Sequence, residues 1–461
     1  MRIVLISTYD LGRQPLGLAS PAAWLREAGM QVECVDASRD ELRDEHIAAA
    51  DLVAFHLPMH TATRLAGPLI DRVRQFKPSM PLAAYGLYAP LNAVWLRDRG
   101  VDHVLGPDSE RELVALATSE PRTANVERGT SHLEPRTTAR VPDRAGLPQL
   151  SRYAALQMPD GSRRIVGNTE TTRGCKHLCR HCPIVPVYEG RFTAIPIDIV
   201  MEDIRRQVSA GAEHITFGDA DFFNGPTHAR RVVERLSREW PSVTYDVTIK
   251  IEHLLKHAPL LPVLRETGCL FITSAVESID DTVLAKLQKG HTRADFVEAV
   301  ALCRSTGVAL SPTFVPFTPW TTIEGYVDLL DQIIALDLIE AVAPIQLAIR
   351  LLVTAESKLL ELTDITRLVD PFDPQSLSYP WRHRDPSVDR LQTAVMRIVG
   401  AAAGRSRRDV FAHIATAAGL QSPRGQASGQ GSGQAGSQTP PYMTEAWYCC
   451  AEPGPEQVDL V

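Results

Sequence analysis

The first 118 residues alternate short apolar runs with stretches whose apolar positions recur at helical spacing. Runs at residues 3–6, 32–35, 52–55, 82–85 and 101–105 are each followed by an amphipathic segment. That alternation predicts parallel strands joined by crossover helices, a doubly wound α/β layer of Rossmann type. Ser20 before Pro21 predicts a helix start and Gly29 its end. Ser caps, Pro suits the first turn, and Gly takes the left-handed exit. In such a sheet ligands lie at the carboxyl ends of the strands, here residues 8–12, 56–60 and 86–89.

A second series of β-like runs, at 167–172, 214–218, 244–249, 270–275, 308–315 and 343–348, is again separated by helical stretches. Six βα units predict a partial barrel with chemistry at the carboxyl-terminal strand ends. Residues 119–147 are rich in Pro, Arg, Thr and Glu with little apolar period, and read as linker. The domain reading is therefore 1–118 for the first α/β domain, 119–160 for the linker, 161–355 for the barrel and 356–420 for a helical extension. Residues 421–461 are expected to be flexible, because a Gly/Ser/Gln tract at 421–438 has no packing residues.

A chain of 461 residues with 44% hydrophobic and 22% charged residues suits two domains with ordinary cores. The net charge of −7 gives no electrostatic reason to expect nucleic acid, whose phosphates need clustered Lys and Arg, so transfer RNA is disfavoured as substrate. The opening apolar run is too short for a signal peptide and no stretch reaches membrane-spanning length, so the expectation is a cytoplasmic protein without a membrane partner. Eight cysteines in this length suit a reducing compartment better than a disulfide framework. Cys34 and Cys269 lie in strand-like runs and Cys303 in a helix-like one, positions of small buried hydrophobes.

Three cysteines differ from these. Cys175, Cys179 and Cys182 stand in Thr-Arg-Gly-Cys-Lys-His-Leu-Cys-Arg-His-Cys-Pro, and three thiolates this close can hold a four-iron cluster with one iron left open to a small molecule. A structural zinc site needs four closed ligands, commonly with a second pair some way off. No such pair follows, and His177 and His181 are interleaved too tightly to complete one. A zinc knot or a buried trio remain the alternatives. Arg173, Lys176 and Arg180 suit a loop around an anionic cluster, and equally a solvated loop.

The Cys-x-x-x-Cys-x-x-Cys spacing resembles the signature of the radical S-adenosylmethionine (SAM) enzymes. The resemblance implies a [4Fe–4S] cluster whose open iron binds the amino and carboxylate groups of SAM. It further implies an adenosyl radical that attacks a small-molecule substrate, and a reducing partner such as flavodoxin or ferredoxin. His181 stands where family members usually carry an aromatic residue against the adenine. Gly218-Asp219-Ala220-Asp221-Phe222 follows the second barrel run, where the family has a glycine- and acid-containing turn for the methionyl amino group. Asp219 is favoured there by position, the other acid being a turn or capping residue. Lys250 and Glu252 end the third run and Glu277 and Ser278 the fourth, at places resembling family contacts to the carboxylate or ribose of SAM. Arg350, a charge in an apolar run, pairs with a carboxylate of SAM or substrate or forms a structural salt bridge. Pro312, Pro316 and Trp320 shape the end of the fifth run, where substrate is expected.

The first domain resembles the cobalamin-binding domain that precedes many radical SAM domains, through Ala50-Asp51-Leu52-Val53, Tyr85-Gly86, and Gly100-Val101-Asp102-His103-Val104 leading into Gly106-Pro107-Asp108-Ser109-Glu110. The Asp-x-His-x-x-Gly loop that supplies a lower histidine ligand in some members is absent from Tyr9-Asp10-Leu11-Gly12-Arg13-Gln14. Two readings stay open: cobalamin bound without that ligand, or a fold kept as scaffold with an emptied pocket.

The chain closes with Trp447-Tyr448-Cys449-Cys450-Ala451-Glu452-Pro453. Adjacent Cα atoms about 3.8 Å apart strain a disulfide, so the pair suits a soft metal, a metalloid, sulfur or selenium, or reversible redox. A Gly/Ser tether of this length spans roughly 25 Å, enough to visit the barrel mouth. The arrangement resembles the radical SAM group named for its Cys-Cys-Ala-Glu-Pro tail, a resemblance carried also by Cys-Arg-His-Cys-Pro-Ile, Gly-Asp-Ala-Asp-Phe and Phe-Thr-Pro-Trp-Thr-Thr. The leading expectation is reductive SAM cleavage with Cys449 and Cys450 as catalytic thiols for a soft element. The rivals are aminocarboxypropyl transfer from SAM to a metalloid such as arsenic, cobalamin-dependent radical methylation, and a non-catalytic metal or metalloid carrier.

Overall fold

The computed structural model describes residues 1–118, 139–402, 404–420 and 439–445. The five apolar runs of the first domain form one parallel sheet of β1 (Arg2–Ser7), β2 (Gln31–Asp36), β3 (Leu52–His56), β4 (Leu82–Tyr85) and β5 (His103–Val104), in the order β2-β1-β3-β4-β5. Residues 3–6 and 53–55 are wholly buried, as a strand covered on both faces requires. The order reverses between β1 and β3, so the ligand crevice of this fold type opens beyond Ser7 and His56.

The helix α1 runs Leu16–Glu27 and begins earlier than the Ser20-Pro21 pair suggested. Ser20 is no cap: its buried hydroxyl donates to Glu110 Oε1 at 2.7 Å. Pro21 lies inside the helix and cannot donate to the Gly17 carbonyl. The Tyr85 hydroxyl donates to that carbonyl instead, at 2.8 Å. The helix ends as expected, with Gly29 at φ +81° and Met30 N–H donating to Leu25 O at 3.0 Å.

The second domain has five parallel strands in sequence order: Val166–Thr169, His214–Phe217, Thr244–Thr248, Cys269–Glu277 and Ala309–Phe314. The run at 343–348, expected as a sixth strand, instead forms a 3₁₀ turn at Pro344–Leu347. Pro344 lacks the N–H a ladder needs. The sixth position is marked by one parallel bridge between Phe317 and Arg350. The core lies between the sheet and its helices, around residues such as Ile215, Val247, Ile272 and Phe314.

Much of the expected linker is packed. Arg144 donates to Asn168 O at 2.6 Å, pairs with Asp203 at 3.0 Å and reaches Gln14 Oε1 at 2.9 Å, joining the two domains. Ala154 N–H donates to Gly12 O at 2.8 Å. The strand Leu156–Gln157 pairs antiparallel with Arg163–Arg164 and with Tyr442–Met443. Residues 439–445, expected in the flexible tail, are thus held: Met443 packs in a cluster with Leu156, Val166 and Phe271. Thr444 N–H donates to Ala155 O at 2.9 Å. The extension carries helices Pro386–Gly400 and Arg407–Ala417. Among the described residues no helix is long and apolar enough to cross a membrane.

Candidate cluster and SAM site

The three cysteines follow the first barrel strand on a loop framed by an antiparallel pair, Thr172–Gly174 with Phe192–Ala194. Gly174 sits at φ +83°, where a Cβ would stand 2.5 Å from the Arg191 carbonyl oxygen, so only glycine lets the loop turn there. Cys175 N–H donates to that carbonyl at 3.1 Å. Asn224 holds one side, accepting from Lys176 N–H at 3.2 Å and donating to Gly174 O at 3.2 Å. Arg180 holds the other, through its N–H to Leu287 O at 3.0 Å and its guanidinium to Lys286 O at 2.9 Å.

None of the three cysteines is in a disulfide; Cys179 is buried and Cys175 and Cys182 half-buried. Burial pushes the Cys175 thiol up to about 11, so metal binding there must release its proton. The interleaved histidines are engaged by acidic and basic side chains. His177 Nε2 lies 3.2 Å from Asp221 Oδ2, and His181 Nε2 lies 3.0 Å from Glu277 Oε1. Three soft donors on a pinned loop, with the nearby histidines engaged elsewhere, fit a cluster with one open iron and not a four-ligand zinc knot.

Asp219 and Asp221 divide their work differently from expectation. Asp219, favoured from its position for the methionyl ammonium, accepts four hydrogen bonds of 2.6–2.9 Å from the amides and hydroxyls of Thr171 and Thr172. Oδ1 takes three of those bonds and Oδ2 one, so the carboxylate fastens the start of the cluster loop. Asp221 caps the 3₁₀ turn at Phe223 N–H, 2.9 Å, and its second oxygen lies 2.7 Å from His253 Nδ1. His177, Asp221 and His253 come close enough for a metal ion, but Lys250 Nζ lies 3.2 Å from His177 Nδ1. That nitrogen accepts from the ammonium, so Nε2 carries the proton donated to Asp221 and has no lone pair for a metal.

Lys250 also pairs with Glu252 at 3.1 Å, and the loop Lys289-Gly290-His291 closes over them. Gly290, at φ +72°, brings its backbone where a Cβ would stand 2.7 Å from Glu252 Oε2. Glu277 ends the fourth strand in the left-handed region, φ +67°. It is buried, although the ion pairs with Lys289 at 3.2 Å and His181 at 3.0 Å hold its carboxyl down to about 2. Its Oε2 has no hydrogen-bond partner among the described residues. A buried anionic oxygen left over at the strand ends suits the ammonium or ribose hydroxyl of SAM. Ser278 Oγ accepts from Asp280 N–H at 3.1 Å, a turn contact.

Arg350 does not join the site. Its guanidinium donates to Asp389 at 2.6 Å and Trp381 O at 2.6 Å, and stacks 3.6 Å over the Trp381 ring, so the structural salt bridge is the one realised. Cys449 and Cys450 lie outside the described residues. Sequence reasoning missed His253, Lys289 and Arg13. The Arg13 guanidinium comes 3.6 Å from the position of a Cβ on Gly218, bringing a cation from the first domain to the turn. Only Lys289 carried a signal, as part of a Lys-Gly-His step between two helical stretches. Glu170 also borders Gly218, and its carboxyl is pushed up to about 7 by burial. It lines a cavity of about 270 Å³ at the domain seam with Leu16, Trp24, Ile195 and Arg173.

Leu377 of the extension is buried in the first domain's core cluster, which also holds Tyr9, Leu57 and Met59 from the loops after β1 and β3, and Tyr88. A corrin at that point would have to displace it.

Residues 169–332 match the Radical SAM superfamily. Similar curated proteins include the ribosomal protein uS12 methylthiotransferase RimO of Porphyromonas gingivalis, 26% identical over 215 residues, covering 43% of this chain and 45% of that protein. Another is the tRNA-2-methylthio-N(6)-dimethylallyladenosine synthase of Chlorobium phaeobacteroides, 25% identical over 238 residues, covering 49% and 48%. The chain spans less than half the length of these relatives. Among solved structures it is similar to the cobalamin-dependent SAM radical enzyme OxsB with aqua-cobalamin bound: TM-score 0.67, 14% identity, 91% of this chain and 71% of that one. It is also similar to the radical SAM methyltransferase TsrM of Kitasatospora setae: TM-score 0.59, 19% identity, 73% and 71%. Residues 169–332 therefore match a radical SAM domain, which supports an enzyme with a [4Fe–4S] cluster and SAM, and the α/β fold of the chain is similar to that of OxsB and TsrM.

Proposed function

We propose that this enzyme reductively cleaves SAM to 5'-deoxyadenosyl radical and methionine and directs the radical at a small molecule, with Cys449 and Cys450 handling a soft element such as sulfur, selenium or arsenic. The observation that carries the first part is the pinned three-cysteine loop, whose His181 lies against Glu277, a buried carboxylate with one oxygen unpartnered among the described residues. A cluster held by Cys175, Cys179 and Cys182 supplies, when bound, one electron and an open iron for SAM. The protein's own groups do the positioning. Glu277, oriented by His181 and Lys289, takes a hydroxyl or ammonium of SAM; Lys250, set by Glu252 and His177, takes its carboxylate; Gly218 leaves room beside the turn that Asp219 fastens. The electron is expected from a flavodoxin or ferredoxin in the cytoplasm.

The tail's part rests on its anchor. The pairing of Tyr442–Met443 with Leu156–Gln157 brings Glu445 against Gly12, where a Cβ would meet Glu445 Oε2 at 2.9 Å. Gly12 adjoins Arg13, which reaches Gly218. Cys449 is four residues beyond Glu445, a reach of at most about 14 Å, so the leash is far shorter than the Gly/Ser tract implied.

The test is the nucleoside released by anaerobic, reduced protein, identified by mass spectrometry in the wild type and in Cys449→Ala/Cys450→Ala. The reading expects 5'-deoxyadenosine from both and substrate product from the wild type alone. Methylthioadenosine would instead mean aminocarboxypropyl transfer, and full product formation by the double variant would remove the thiols from the chemistry.

A further inference from the structure

The carboxyl-end crevice of a doubly wound sheet, at the point where the strand order reverses, is where such domains take a cofactor. Here that point lies between β1 and β3, and a segment from more than 300 residues later in the chain packs into the first domain beside His60, at the start of the helix that follows β3, and Trp95. Asp373 N–H donates to Ser378 O at 2.9 Å, and the Asp373 carboxylate accepts from the Gln375 and Ser376 amides at 2.9 and 3.1 Å. The result is a self-fastened loop with Leu377 at its tip. Leu377 is 1% exposed and belongs to the buried core cluster that also holds Tyr9, Leu57 and Met59 from the loops after β1 and β3, and Tyr88. Its φ is +50°, a conformation that a leucine keeps only where surrounding packing over-determines it. Polar contacts seal the loop's rim: His60 Nε2 donates to Ser376 O at 2.7 Å and Trp95 Nε1 donates to Pro374 O at 3.0 Å. The loop's base is tied to the barrel side by Tyr379 N–H to Val353 O at 2.7 Å.

We propose that the segment 373–378 is a built-in plug that takes the cofactor's place, so that the first domain binds no cobalamin and serves to hold the extension over the barrel. The residues present do not fit a corrin: the crevice is filled by an apolar side chain, its rim donors are spent on the chain's own carbonyls, and Tyr9–Gln14 offers no histidine below it. The enzyme's chemistry then needs no cobalamin, which separates it from the methyltransferases that share its fold.

The test uses the full chain, reconstituted anaerobically with iron and sulfide in the presence of excess hydroxocobalamin and then desalted. The cobalt and iron of the monodisperse fraction are measured, with its visible spectrum. The proposal expects iron at cluster level, cobalt at background and no corrin absorption. Cobalt approaching one per chain, with a corrin spectrum, would overturn it. This outcome is independent of which nucleoside SAM yields, so the plug and the proposed reaction stand or fall separately.

Discussion

The ring of His60, at the start of the helix after β3, donates to the carbonyl of Ser376 at 2.7 Å across 316 positions of sequence. That bond fixes the loop whose next residue, Leu377, is buried in the core of the first domain. Truncating Leu377→Ala removes a buried side chain from a packed cluster and is expected to cost about 2–5 kcal/mol of unfolding free energy. Urea unfolding of the variant reads this directly; a change under about 0.5 kcal/mol, the level of an ordinary surface substitution, would mean the loop is not seated.

Tyr85 supplies the hydrogen bond that Pro21 withholds from Gly17 O. The Tyr85→Phe variant leaves that carbonyl unsatisfied in a buried place and should lose about 1–3 kcal/mol. Restoring the helix's own donor in Tyr85→Phe/Pro21→Ala should recover part of the loss in thermal unfolding.

Asp219 fastens Thr171 and Thr172, so Asp219→Ala is expected to lower the iron retained after reconstitution along with stability, by about 2 kcal/mol or more for several stranded donors. Full iron and unchanged stability with weakened SAM binding would instead place Asp219 against SAM.

Asp10 at the domain seam is pushed up to about 7, chiefly by burial against the opposing pull of Arg13. A carboxyl whose folded pKa lies above its unfolded value near 3.8 binds its proton more tightly when folded. Its contribution to stability is therefore full below about pH 4 and is lost as pH rises through 7. The Asp10→Asn variant should flatten the pH dependence of the unfolding midpoint in that window, and an unchanged slope would contradict the assignment.

Thr444→Pro removes the N–H that binds Ala155 O and should unseat the strand Tyr442–Met443. Its expected phenotype is that of the double cysteine variant, with SAM still cleaved and substrate product lost; product at wild-type level would show that the anchor is dispensable.

The sheet of the first domain was legible because strands buried on both faces are continuous apolar runs, and all five fell where predicted. The cysteine loop stands out in the sequence because metal-ligand spacing is local. What failed was nonlocal. Ser20-Pro21 looks like a helix start because the donor that makes Pro21 tolerable inside the helix is Tyr85, in another strand. Arg350 looked like a site charge until Asp389 and Trp381 were placed beside it. Asp219 stands in a turn legible from its Gly-Asp-Ala-Asp pattern, whereas its four donors, on Thr171 and Thr172, lie in the loop after a different strand. The plug and the anchor at 442–443 carry no pattern of their own, being two- to six-residue segments whose partners are hundreds of positions away.

A cluster with one iron open to SAM is tested by the EPR spectrum of the reduced, reconstituted protein with and without SAM, alongside its iron content. About four irons per chain are expected, with a reduced-cluster signal that shifts when SAM is added, and loss of both in Cys179→Ala. A loaded cluster whose signal ignores SAM, or zinc in place of iron, would contradict it.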